Sequence, residues 1–269
     1  AEIEEVCIST NTLSFEDYVK CRKMHLLIHI YHNDGLFGTS LEFIKFLKLS
    51  PYRWLKLLFE EKMTGGVNEL FEKYEQDTRQ ELWLKREELI QNIQNPGIVD
   101  SYISGELGYN LLFVHKAIAM SRFVPELKKF AKLTIEKLLS ENHKDTQENM
   151  DFLDDVLNYD ACCISNIFEN LDKTPQTTIH YDVEKFITRK NTPLSKLRLK
   201  NPTITNFLLD DEQLDIIKRS LELYTSSDMG ISRILTKVFV KKILRTGTLD
   251  KNSLQKTEEI TNSADWPYL

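Results

Sequence analysis

Three histidines, His25, His29 and His32, lie four and three residues apart in the apolar run HLLIHIYHNDG. On an α-helix that spacing sets all three imidazoles on one face, an arrangement able to ligate zinc, iron or nickel. The zinc-hydrolase pattern also needs a glutamate directly after the first histidine, as general base. Here that position is Leu26. Leu26, Leu27, Ile28, Ile30 and Tyr31 make the stretch apolar all round. The run reads first as a helix packed on several sides, its imidazoles hydrogen-bonded in the core or at its edge. A metal site at His25, His29 and His32 is the weaker reading.

Other candidate chemistry is sparse. Asp154-Asp155 and Asp210-Asp211 are paired carboxylates, but both fall at helix starts or on helix faces, where capping and solvation account for them. No GxSxG elbow, Walker-type loop or GxGxxG follows a strand, so acyl transfer, NTP hydrolysis and dinucleotide binding lack their signatures. The aromatic stretch YRWLKLLF (52–59) has helical spacing and reads as core rather than as a ligand wall. The cluster KKILR (241–245) reads as cations at a helix C-terminus, favoured there by the dipole.

The chain of 269 residues carries a net charge of −6. That disfavours nucleic-acid binding, which needs a concentrated basic face. Nine glycines and seven prolines are too few for the tight turns of an all-β fold. No apolar run reaches the length of a membrane span. Cys7, Cys21, Cys162 and Cys163 form no CxxC pair; buried reduced thiols fit a cytoplasmic location.

The elements that must position these groups are mainly α-helical, about nine or ten helices with a minor extended or β element near 176–209. Residues 3–10 read as a short strand. Ser14 opens a helix over 15–33 that Gly35 ends, and Ser40 caps the next. Ser50-Pro51 starts a third, with proline at the first helical position. Amphipathic helices follow over 67–94 and 98–141, then a surface loop at 141–149 and a helix from Met150. TTIHYDV and TITNFLL read as strands. Asp210 or Asp211 caps one further helix, and 227–245 forms the last long one. The resulting organisation is a linker or strand at 1–13, a helical bundle at 14–140, the loop, a second helical part with short strands at 150–247, and a polar tail at 248–269. One continuous body is expected over two subdomains.

Two stretches carry a family resemblance. CISTNTLSFEDYVKCRKMHLLIHIYHNDGL (7–36), a strand, a Thr-rich turn and a hydrophobic helix with histidines, resembles the segment after the catalytic barrel of cobalamin-binding radical SAM proteins. YDVEKFITRKNTPLSKLRLKNPTITNFLLDDEQLDIIKRSLELY followed by GISRILTKVFVKKILR resembles the end of the same proteins. Together they cover about a third of the chain. The CxxxCxxC loop of that family is missing, and so is a cobalamin domain. The resemblance therefore implies a non-catalytic C-terminal cap, cut from an N-terminal core that would hold the 4Fe–4S cluster, S-adenosylmethionine and cobalamin. That core would be its partner, and a small-molecule or carrier-bound substrate its ligand. Thr10, Asn11, Thr12, His25, His29, Tyr31 and His32 are then the substrate-facing candidates. Competing expectations are an all-helical adaptor for a partner protein and a metal-dependent hydrolase using the histidine face.

Overall fold

A computed structural model describes residues 5–104, 107–189 and 191–250. Twelve α-helices and a three-stranded antiparallel sheet make up these residues, so the mainly helical expectation holds. The helices are α1 (Phe15–Ile28), α2 (Gly38–Phe46), α3 (Pro51–Glu60), α4 (Gly65–Gln80), α5 (Arg86–Ile93), α6 (Ile98–Ser104), α7 (Leu111–Arg122), α8 (Val124–Glu141), α9 (Gln147–Ile164), α10 (Val183–Thr188), α11 (Asp211–Tyr224) and α12 (Asp228–Lys237). The strands β1 (Gln176–Tyr181), β2 (Arg198–Leu208) and β3 (Thr246–Leu249) pair in sequence order. No helix among the described residues is long and apolar enough to cross a membrane.

Local signals set many of the boundaries. Ser14 accepts the Asp17 N–H, and Ser50 accepts the Arg53 N–H with Pro51 next to it. Asp210 and Gln213 form a reciprocal capping box at α11. The core lies around α9, which packs against α2, α8, β1 and β3. Trp54 is fully buried between Tyr31 and α8, where its indole N–H donates to Thr134 Oγ1 at 3.0 Å. Phe43, Phe152, Phe186 and Tyr181 continue the same apolar cluster with edge-to-face contacts.

Two aspartates of α9 tie distant segments to this core. The β1–β2 register slips between Ile179 and Tyr181, and a bulge leaves amides without ladder partners. Asp155, buried, accepts the N–H of His180 at 2.6 Å and of Tyr181 at 2.8 Å. Asp154, its neighbour, points outward to Lys132. Asp160 does the equivalent for α2, as described below.

The structure corrects four expectations. Residues 5–10 of the expected N-terminal strand join no sheet and run irregularly; residues 3 and 4 lie outside the described ones. Ser40 is not an N-cap: α2 starts at Gly38, and the carboxylate at its N-terminus comes from Asp160. The last helix stops at Lys237 rather than running to Arg245, because Val238 turns extended. Residues 246–249, assigned in part to a frayed tail, add β3 to the sheet. Gly247 permits this, since a Cβ there would come within 2.5 Å of the Tyr159 ring. The tail from 251 onward lies outside the described residues.

Candidate functional site

The end of α1 departs from regular geometry. After Ile28 the backbone widens into a π-turn, His29–Asn33, closed by the Asp34 N–H on the His29 carbonyl at 3.4 Å. Side chains follow the same five-residue register. His29 Nδ1 lies 3.3 Å from Asp34 Oδ2, and that oxygen also accepts from Lys116 Nζ at 2.9 Å. In a regular α-helix the residue one turn beyond His29 would be Asn33. The π-turn is what seats a carboxylate beneath the imidazole. Such turns recur at functional sites.

Lys116 comes from α7 and is 1% exposed. Its ammonium lies 4.5 Å over the Phe113 ring as well as on Asp34, so the buried cation has both a counter-charge and a π-face. A carboxylate only accepts hydrogen bonds. The contact therefore places a proton on His29 Nδ1 and directs Nε2 away from Asp34. The His29 side chain is 19% exposed. The chain Lys116–Asp34–His29 thus orients one imidazole in one tautomer, as a base or polar anchor requires. The His25 ring meets His29 edge-on at 4.8 Å. Burial, and then the neighbouring His29 and Arg22, hold the His25 imidazole below the usual histidine range.

Beyond the turn opens a cleft of about 400 Å³. Its walls are the π-turn (His32), the start of α2 (Gly38, Thr39), the end of α9 (Asp160, Cys163) and the segment Lys241–Thr246. Asp160, 3% exposed, accepts the Thr39 N–H at 2.9 Å, the Ser40 N–H at 2.8 Å and the Ser40 hydroxyl at 2.7 Å. Burial pushes its carboxyl up to about 6, against the pull of those three bonds. Burial also lifts the Cys163 thiol well above the usual range, which keeps it protonated and inert at neutral pH. Gly35, at φ +74, lets Lys241 lie across the backbone; a Cβ there would meet Lys241 Cε at 2.8 Å.

Of the residues expected to face substrate, the structure gathers His25 and His29 at the end of α1 and sets His32 on the cleft. His32 Nδ1 turns to Asn33 Oδ1, 3.0 Å away, while His29 turns to Asp34. The three imidazoles do not converge, and no group of three or more His, Cys, Asp or Glu side chains able to hold a metal forms among the described residues. Tyr31 is not a pocket residue: it is fully buried, and its hydroxyl donates to the Leu127 carbonyl at 3.2 Å. Thr10, Asn11 and Thr12 are exposed at the other end of α1, where Thr10 Oγ1 accepts the Leu13 N–H. The 14 residues of α1 put them about 20 Å from His29.

Asp34, Lys116, Asp160 and Arg245 escape sequence reasoning. Asp34 falls five residues from His29, outside any α-helical pairing rule. Lys116 meets it across 82 residues, and Asp160 meets Ser40 across 120, so no local pattern signals either contact. Arg245, expected at the C-terminus of a helix of its own segment, instead donates to the carbonyls of Ser165, Asn166 and Asn170 just beyond α9. Comparison with protein-family models, with curated proteins and with solved structures finds no match for the chain.

Proposed function

We propose that the chain is a substrate-recognition cap for a cobalamin-dependent radical SAM core, with the π-turn and its adjoining cleft as the face that meets substrate. The family assignment rests on the resemblance of residues 7–36 and of the segment from Tyr181 onward. The location of the face rests on one observation, the Lys116–Asp34–His29 chain that orients a partly exposed imidazole through its Nδ1. In this reading His29 accepts a hydrogen bond from a substrate hydroxyl or ammonium group, and His32 contributes from the cleft wall. In the complete protein this cap would cover the core and exclude water, as radical intermediates require.

The thiols do not fit a 4Fe–4S cluster: Cys7 and Cys21 are exposed near α1, whereas adjacent Cys162 and Cys163 lie on α9. Cluster, S-adenosylmethionine and cobalamin would therefore belong to the core. The reading predicts a CxxxCxxC loop in the reading frame upstream of this chain, and a frame without one rejects it. In the protein made from that whole frame, His29→Ala should raise KM or lower kcat without unfolding. Unchanged kinetics in both His29→Ala and His32→Ala would remove the pocket role.

A second reading, an adaptor that docks a partner protein, draws on a different surface. Helix α5 buries none of its residues. Trp83, Leu84, Ile90, Val99 and Tyr102 are exposed around it, and Val6, Ile8 and Leu89 line a shallow groove of about 370 Å³ with Trp83 and Leu84. Loss of a specific partner on Leu84→Glu, with the fold intact, would favour this reading over the cap.

A further inference from the structure

Arg245 is 3% exposed, yet no carboxylate answers it among the described residues. Its Nε donates to the Ser165 carbonyl at 3.0 Å, and its Nη2 reaches the Asn166 and Asn170 carbonyls at 3.4 Å. These acceptors are neutral, and Nη1 has no partner among the described residues. A buried cation without a counter-ion is a costly arrangement, and burial weakens the guanidinium's hold on its proton. Arg245 lines the cleft together with Lys241, which makes no ion pair among the described residues. The other basic group on the rim, Lys45, already pairs with Glu42 at 2.9 Å. The remaining acid, Asp160, is spent on the α2 amides and the Ser40 hydroxyl. The cleft is thus lined by two cations that make no ion pair among the described residues, Arg245 and Lys241, together with His32.

We propose that this cleft binds an oxyanion, a phosphate or carboxylate group of a small ligand, with Arg245 and Lys241 as its charged partners. Guanidinium and ammonium groups are the usual donors to such groups, and bonds to an ion are the stronger kind. The inference deepens the cap reading, in which the same cleft meets substrate. It concerns binding by this chain alone, so it stands or falls separately from the presence of a radical SAM core.

Titration of the chain with inorganic phosphate and, separately, with acetate tests it. Ionic strength is held constant with sodium chloride, and amide chemical shifts are the readout. One of the two ions should saturate, moving the amides of Gly38, Thr39 and Thr246, and the ion that binds more tightly identifies the oxyanion. Lys241→Gln, at an exposed position, should weaken that binding about tenfold, as loss of one charge-assisted bond implies. Lys242→Gln, on the same short turn but off the cleft, should leave it unchanged. No saturation by either ion overturns the proposal. So does a Lys241→Gln variant that binds like the wild type, or one no weaker than Lys242→Gln.

Discussion

Replacing Asp160 with asparagine should change how stability depends on pH more than it changes stability itself. The carboxylate sits at the N-terminus of α2 with three donors on it, and burial lifts its pKa from 3.8 to about 6. Such a carboxyl holds its proton about 3 kcal/mol more tightly in the folded chain than in the unfolded one. The shift is upward, so between pH 3.8 and about 6 the folded state binds more protons than the unfolded state. The contribution is therefore full below pH 3.8 and is lost as pH rises through about 6. The asparagine of Asp160→Asn would keep the size of the side chain and an acceptor for the Ser40 donors, but it does not titrate. Its amide nitrogen would face the Thr39 N–H, a loss of about 1 kcal/mol at every pH. Urea unfolding of both proteins at half-unit steps from pH 4 to 7.5 gives a difference curve in which the other groups cancel. Wild type should lose about 2.5 kcal/mol relative to Asp160→Asn across that range, the part of the full ~3 kcal/mol that lies above about pH 4. A flat difference curve would refute the reasoning, because the carboxylate would then be no harder to ionise in the fold than in the open chain.

Three further outcomes follow from the same contacts. Asp34→Ala leaves the Lys116 ammonium buried without its counter-charge and should cost about 3–5 kcal/mol in urea unfolding, most of it recovered by adding Lys116→Met; a double variant whose cost is the sum of those of Asp34→Ala and Lys116→Met alone would show that the pair is not coupled. Thr134→Val strips the acceptor from the buried Trp54 indole and should cost about 1–3 kcal/mol, with a change in the near-ultraviolet circular dichroism of that tryptophan. Burial holds the His115 imidazole below 6.5, despite its bond to Asp77. Its stabilising contribution is therefore present above pH 6.5 and declines as pH falls, and an NMR titration placing His115 above 6.5 would contradict this.

What the sequence makes legible is local. Ser14, Ser50-Pro51 and Asp210 with Gln213 mark helix starts because their bonds close within three residues. TTIHYDV and TITNFLL announce strands through β-branched composition, and they pair as Thr178 with Ile204. The segment VFVKKILR misleads because its apolar spacing suits a helix, while its fate is set by contacts outside the window. Arg245 anchors to the carbonyls beyond α9, and Gly247 fits under Tyr159, 88 residues away. Ser40 misleads for the same reason: a serine ahead of an apolar run looks like a cap, but the capping oxygen arrives from Asp160. The histidine face is visible as a pattern, yet the partner that orients His29 depends on a π-turn that no periodicity encodes.

Several departures from local rules meet in one region. A widened helical turn, a buried lysine, a buried carboxylate at a helix start and a buried arginine without a counter-ion all fall at the end of α1 or around the cleft beside it. Packing alone does not demand them. Apolar side chains of similar volume at Lys116 and Asp34 would fill the same space, and such replacements are often neutral or stabilising. Other buried polar groups lie elsewhere, and some of them join two elements: Asp155 holds the β1 amides and His115 meets Asp77 of α4. Where several such groups gather beside an open cleft, ligand contact accounts for them better than stability does. This concentration, more than the spacing of the three histidines, is the reason to look for substrate contact at the π-turn and the cleft.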